Sequence, residues 1–284
     1  MTLHQSLTVA AARLSLNPGL RDQAHRDAER LLLHLLQIDR AMLLAHPDRS
    51  LSPEQLAAYQ AAIGRRLNNE PIQYIIGYQE FFGLKLKVTP ATLIPRPETE
   101  HLVEAVLDRL PHKQPLRVLD IGTGTGAIAL ALAVHLPQAR VTALDLSDEA
   151  LNVARENVLA HNLSSRIRLL QSDLLSGLPQ DEQREAFDAI VSNPPYIPEG
   201  DRSELHPQVC DYEPSQALFA GPLGLDIYRH LIPQAYIALK PDGLLALEIG
   251  HGQSEALVAL LAAWREVTFI ADLQQIPRVV LARR

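Results

Sequence analysis

Arg117-Val118-Leu119-Asp120-Ile121-Gly122-Thr123-Gly124-Thr125-Gly126-Ala127 runs from apolar and β-branched residues through three glycines into the helix-forming Ala127-Ile128-Ala129-Leu130. The pattern predicts a strand, a sharp turn and the first turn of a helix. Glycine is needed there because the backbone must reverse and come close to a ligand with no Cβ in the way, while free N–H groups at the helix start face that ligand. Taken alone the turn is ambiguous. Gly122-x-Gly124-x-x-Ala127 also satisfies the dinucleotide fingerprint, and a purely structural turn would use the same glycines.

On either side of this turn, helical and strand-like segments alternate. Strands are expected at 117–121, 140–144, 166–171, 187–192, 244–249, 267–270 and 278–281, with helices over 97–110, 126–136, 148–161, 225–239 and 254–264. Alternation of this kind builds a Rossmann-like α/β fold with a seven-stranded, mostly parallel sheet, here assigned to residues 91–284. The first 72 residues read as a small helical bundle. Ala24, Ala28, Leu31, Leu32, Leu35 and Leu36 recur at helical spacing, and Ser52-Pro53-x-Gln55 opens another helix with a capping box. Between them, residues 73–90 change period: Leu84, Leu86 and Val88 alternate with Lys85 and Lys87, so a β-hairpin linker is expected.

Composition narrows the function. The chain has 284 residues and one cysteine, Cys210, so no internal disulfide is possible and neither a metal cluster nor an oxidising compartment is indicated. The longest apolar run, 127–134, is far short of a membrane span, and a cytoplasmic protein is expected. Net charge is −7 and uneven: residues 1–88 hold 10 basic and 8 acidic side chains, the remainder 16 and 25. So acidic a segment is a poor platform for a polyphosphate, which makes a protein the expected macromolecular partner rather than nucleic acid.

Candidate ligand residues follow the strand ends. Asp145 closes the second strand, where it can hold a ribose diol or cap the next helix; Ser147 and Asp148 already offer capping oxygens, which favours the ribose. Asp173 can accept from an adenine amino group, with Leu174 over the ring, or serve only as a turn residue before Ser176-Gly177. At the end of the fourth strand stands Asn193-Pro194-Pro195-Tyr196, next to the glycine turn if this strand lies beside the first across the switch point. Neither proline has an N–H, so the carbonyls of Asn193 and Pro194 are free to accept.

Planar amino nitrogens are weak nucleophiles because their lone pairs are delocalised. The Asn193 side-chain oxygen and the Pro194 carbonyl can bind the two N–H groups and aim the lone pair at a sulfonium methyl, with Tyr196 packed against the planar group. This favours S-adenosylmethionine over a nicotinamide cofactor. His206, His230 and His251 have no ligand spacing and are expected at caps or on the surface, with Trp264 on its helix in the core.

The chain resembles the HemK/PrmC family of protein-(glutamine-N5) methyltransferases over nearly its whole length. The resemblance is carried by Pro71-Ile72-Gln73-Tyr74-Ile75-Ile76-Gly77, Phe81-Phe82-Gly83, Arg96-Pro97-Glu98-Thr99-Glu100, Asp120 to Gly126, Ser192 to Tyr196, Glu213-Pro214 and Glu248-Ile249-Gly250. It implies a class I methyltransferase that methylates the glutamine of the Gly-Gly-Gln loop in bacterial peptide chain release factors 1 and 2. S-adenosylmethionine would be converted to S-adenosylhomocysteine at Gly122, Thr123, Gly124, Thr125, Gly126, Asp145, Asp173, Leu174 and Asn193. Asn193, Pro194, Pro195 and Tyr196 would hold the glutamine, the helical domain would grip the release factor, and the protein would act as a monomer.

The chain departs from the family's pattern at two places. Leu174 stands where some members have an aromatic, and Gln274-Gln275-Ile276-Pro277 lacks a glycine before the last strand. Glu98 and Glu100 complement a helix N-terminus or contact substrate. Rival readings are a ribosomal-protein glutamine methyltransferase, a DNA adenine-N6 methyltransferase, which would need a basic groove for an extruded base, and a non-catalytic release-factor binder.

Overall fold

The computed structural model describes residues 1–272 and 274–284, and the chain divides into two compact units. The first comprises Met1–Tyr78 together with Leu205–Tyr212; the second comprises Gln79–Glu204 and Glu213–Arg284.

In the first unit α1 (Leu3–Leu14), α2 (Ala24–Leu36), α3 (Arg40–Ala45), α4 (Pro53–Leu67) and the single turn α5 (Ile72–Ile76) follow one another. Capping boxes open α1, from Thr2 and Gln5, and α4, from Ser52 and Gln55, satisfying N–H groups that a helix start leaves unpaired. Leu3, Leu14, Leu31, Leu32 and Ile63 form the core, and the Tyr59 hydroxyl donates to the Ala28 carbonyl at 2.9 Å. Arg66 and Asp27 form an ion pair at 2.7 Å whose side chains are only 2% and 5% exposed. Arg66 also donates to the Glu70 carbonyl and, at 3.3 Å, to Gln208. The latter precedes Tyr212, whose hydroxyl donates to the Asn68 carbonyl at 2.7 Å, so 205–212 belongs to this unit.

The expected hairpin begins later than the sequence pattern implies. Residues 73–76 are helical and end at Gly77, whose φ of 81° needs glycine. The strands are β1 (Tyr78–Phe81) and β2 (Leu84–Lys87).

After α6 (Pro97–Arg109) come β3 (Arg117–Ile121), α7 (Ala127–His135), β4 (Arg140–Asp145), α8 (Asp148–Ala160), β5 (Ile167–Gln171) and β6 (Phe187–Ser192). The short α9 (Pro207–Cys210) lies in the first unit; α10 (Asp226–Ala238), β7 (Leu239–Glu248), α11 (Ser254–Leu260), β8 (Arg265–Ala271) and β9 (Pro277–Arg283) complete the second. Sheet order is β5-β4-β3-β6-β7-β9-β8, and all neighbours are parallel except β7 with β9 and β9 with β8.

Alternate residues of the central strands feed opposite faces. Val118, Val141 and Val191 pack with Leu102, Leu130 and Leu132. Leu119, Leu144 and Ile190 pack with Tyr228, Leu231 and Leu257 on the other face. Among the described residues no helix is long and apolar enough to cross a membrane. Trp264 lies beyond the end of α11 rather than on it; it is buried, edge-on to Tyr236 at 5.1 Å.

Candidate active site

The reversal of strand order occurs between β3 and β6, where Ile121 pairs with Ser192 and the next residues are Gly122 and Asn193. A cavity of about 340 Å³ opens at the carboxyl ends of these strands, within the usual size for small-ligand sites. Gly122, Thr123, Gly124, Thr125, Asp145, Asp173, Leu174, Asn193, Pro194 and Pro195 line it, so ten of the twelve expected site residues share one cavity. Gly126 and Tyr196 do not. A Cβ on Gly126 would stand 2.8 Å from Leu130 and 3.5 Å from Ala154, at a φ of 82°, so this glycine serves helix packing.

The turn is held from beneath. Gly122 and Gly124 have φ of 71° and 54°, and the Thr123 N–H donates to the Leu144 carbonyl at 2.8 Å. Asn157 of α8, nearly fully buried, donates to the Thr125 carbonyl at 2.9 Å and the Lys87 carbonyl at 3.0 Å, and accepts from the Lys87 N–H at 2.7 Å. Asp120 has no exposed surface, and its Oδ2 accepts from the Thr123 hydroxyl at 2.6 Å and the Ala129 N–H at 3.2 Å. Its Oδ1 has no partner among the described residues. Burial pushes this carboxyl up to about 7, against those two hydrogen bonds.

Asp145 accepts from the Gly124 N–H at 2.8 Å and from the Ser147 N–H at 3.0 Å, while Ser147, not Asp145, caps α8 through the Ala150 N–H. Burial raises its pKa despite these bonds, and each carboxylate oxygen keeps a lone pair for a further donor. Asp173 is exposed at the rim, and Leu174 takes a left-handed φ of 48° that its neighbour Ser172 supports by donating to the Leu174 carbonyl at 2.6 Å.

Asn193 Nδ2 donates to the Thr99 hydroxyl at 3.0 Å. Among the described residues no backbone N–H donates to the Pro194 carbonyl. The phenol of Tyr196 turns away and donates to Glu248 Oε1 at 3.2 Å, while its carbonyl accepts from Gln253 Nε2 at 2.9 Å. Gln253 also donates to the Gly224 carbonyl at 3.2 Å and accepts from the Gly250 N–H at 2.9 Å, clamping three loops. Glu213 is buried, accepts from the Ile94 N–H at 3.1 Å and pairs with Arg96, which lines the cavity. Glu100 accepts from the Phe82 N–H at 2.8 Å and so anchors the hairpin turn; Glu98 is exposed beside the helix start and does not line the cavity.

Sequence reasoning reached Asp120, Thr99, Glu213 and Glu248 only as parts of motifs, without a role, and did not reach Asn157 or Gln253. Asp120 and Glu248 carry a usable mark, an acid within an apolar run, Val118-Leu119-Asp120-Ile121 and Leu244-Leu245-Ala246-Leu247-Glu248-Ile249.

Sheet order, glycine turn and the acid ending β4 together define a class I S-adenosylmethionine-dependent methyltransferase. The catalytic domain of hMettl16, solved with MAT2A 3'UTR hairpin 1, shares this fold at a TM-score of 0.57 and 18% identity, over 90% of each chain. Residues 5–77 match the PrmC N-terminal domain family and residues 99–208 the methyltransferase small domain family. The release factor glutamine methyltransferase of Koribacter versatilis is 45% identical over 90% of each chain. That of Moorella thermoacetica is 44% identical over 100% of this chain and 99% of its own length. The chain belongs to the release factor glutamine methyltransferase family.

Proposed function

We propose that the protein transfers a methyl group to the side-chain amide nitrogen of the Gly-Gly-Gln glutamine in bacterial release factors 1 and 2, acting as a cytoplasmic monomer without direct nucleic-acid contact. The observation that carries this reading is the placement of Asn193 and Pro194 on the wall of the cavity that the glycine turn and Asp145 also line.

The cavity suits S-adenosylmethionine. The positive-φ glycines leave room where a Cβ would intrude on a ligand, Asp145 offers two oxygens to a diol, and the partnerless Asp120 Oδ1 is a buried acceptor beneath the turn. Bound there, the cofactor supplies an electrophilic methyl group on a positively charged sulfur. Gly122 to Thr125, Asp145, Asp173 and Leu174 would bind its nucleoside and amino-acid ends. Asn193 Oδ1 and the Pro194 carbonyl accept the two N–H groups of the substrate carboxamide, which fixes its plane and aims the nitrogen lone pair. As positive charge develops on that nitrogen the same two oxygens stabilise it until a proton is lost to solvent. Pro195 closes the wall, and Tyr196, tied to Glu248 and Gln253, holds the loop rather than stacking on the substrate.

The test offers radiolabelled S-adenosylmethionine with purified release factor, ribosomes and duplex DNA, and locates the label by mass spectrometry. Label on the release-factor glutamine, lost in Asn193→Ala while cofactor affinity stays within about twofold, is the expected result. Label on DNA or ribosomal protein alone refutes it.

A further inference from the structure

The proposed role of Asn193 demands that its carboxamide stand one way round, oxygen toward the substrate. The two ends of a primary amide are nearly the same size, and turned over it would present N–H groups to the substrate's own N–H groups. On that reading, we propose that Thr99 and Glu248 form a positioning relay that fixes this orientation.

Thr99 alone does not decide it. Its hydroxyl lies 3.0 Å from Asn193 Nδ2, and a hydroxyl can accept from an amide nitrogen or donate to an amide oxygen equally well. What decides is where the single hydroxyl hydrogen goes. Glu248, whose carboxyl feels the Thr99 hydroxyl, is a buried acid at the end of β7, and its Oε2 has no hydrogen-bond partner among the described residues. An ionised carboxylate only accepts, so the Thr99 hydrogen turns to it, and the Thr99 oxygen is left to accept from Asn193 Nδ2. Asn193 Oδ1 then faces away from Thr99.

The hydroxyl groups facing Glu248 leave its Oε2 open to Thr99. The Tyr196 phenol spends its one hydrogen on Oε1, and the Tyr228 hydroxyl of α10 donates instead to the Glu248 backbone carbonyl. Glu98 of α6 opposes ionisation and Arg278 of β9 favours it. Burial outweighs the stabilising influence of the Thr99 and Tyr196 hydroxyls and lifts the carboxyl to about 7. A protonated Glu248 can donate to Thr99, which then sends its own hydrogen to Asn193 and turns the amide over. The relay therefore reads pH. The two elements contributing it, Arg96 to Glu100 and Glu248 to Gly250, are sequence motifs that the transfer step itself leaves unused.

Full-length wild type, Thr99→Val, Thr99→Ser, Glu248→Gln and Asn193→Ala are compared for thermal midpoint, S-adenosylhomocysteine affinity by calorimetry, and kcat and KM for release factor between pH 5.5 and 8.5. Thr99→Val is expected to lower kcat about tenfold or more with cofactor affinity and KM within about twofold, and Thr99→Ser to restore it. Wild-type kcat should rise with pH through about 7, where the Glu248 carboxyl ionises, and Glu248→Gln should stay low and flat across the range. The relay is refuted if Asn193→Ala is inactive while Thr99→Val turns over normally, if Thr99→Ser is as impaired as Thr99→Val, or if Glu248→Gln keeps the pH rise. Normal turnover by Asn193→Ala sinks the parent reading instead. If Thr99→Val fails to fold, the pH profile of Glu248→Gln decides.

Discussion

Replacing Asp120 with Asn should change how stability depends on pH, and the direction is fixed by the site. The folded carboxyl titrates near 7 instead of 3.8 because it is wholly buried, so the folded state binds its proton more tightly than the unfolded chain does. A raised carboxyl pKa contributes stability that is fully present below about 3.8 and is lost as pH rises through about 7. The full span is about 4 kcal/mol, of which about 2–3 kcal/mol falls between pH 5 and pH 8.

Asparagine is neutral throughout and can still accept from Thr123 and Ala129, although its Nδ2 then occupies the position of the partnerless Oδ1, at a constant cost of about 1–3 kcal/mol. Urea unfolding of both proteins, without ligand, should show the variant gaining on wild type by about 2–3 kcal/mol from pH 5 to pH 8. Glu248 titrates in the same window and with the same sign, but it is common to both proteins and drops out of the difference. Parallel curves, or a wild type that gains on the variant as pH rises, would show that Asp120 is not a strained buried acid.

Three further substitutions probe other parts of the molecule. Gly224→Ala forces a Cβ to within 2.1 Å of the Tyr196 carbonyl at a φ of 67°, and should cost about 2–5 kcal/mol; a melting temperature equal to wild type contradicts this packing. Gly64→Ala, inside α4 with nothing within 4 Å of the new methyl, should stabilise by about 0.5–1 kcal/mol, and a fall in the calorimetric midpoint counts against it. Asp27→Ala strands the buried Arg66 and should cost about 3–5 kcal/mol in denaturant unfolding; a loss under about 1 kcal/mol means the arginine finds other partners.

Strand positions were legible because parallel strands buried on both faces read as apolar runs bounded by turns. β3 and β6 fall at their expected residues. β7 begins at Leu239, five residues before its expected start, because Pro241-Asp242-Gly243 reads as a turn yet continues the strand as an irregularity, with Asp242 at a φ of 64°. The missing glycine before the last strand has a parallel explanation. Gln275 adopts the left-handed φ of 64° itself, in a turn that Asp272 holds by accepting from the Gln274 and Ile276 N–H groups. Helix α1 carries Leu3, Leu7, Ala10 and Leu14 at helical spacing and a capping box, a pattern that the sequence reading of the bundle did not name.

The candidate cofactor and substrate residues were readable as a group because they stand at or just beyond the carboxyl ends of β3, β4, β5 and β6. Their support was not: Thr99 and Glu248 are 149 positions apart, and only the sheet brings α6 and β7 to the same place. Tyr196 illustrates the limit most plainly. An aromatic after two prolines reads as a stacking platform, and nothing local announces that its hydroxyl meets a buried acid and its carbonyl a glutamine 57 residues downstream.

Gln253 carries the same functional group that the proposed chemistry acts on, and it too is gripped by paired oxygen acceptors. Each amide hydrogen meets a main-chain oxygen, one of them belonging to the loop that would receive the substrate. The protein thus contains a resident primary amide, pinned by paired acceptors, that does not line the reactive chamber. What would separate guest from host is location, since each amide would rest on a pair of oxygens, one side-chain and one main-chain for the guest, two main-chain for the host.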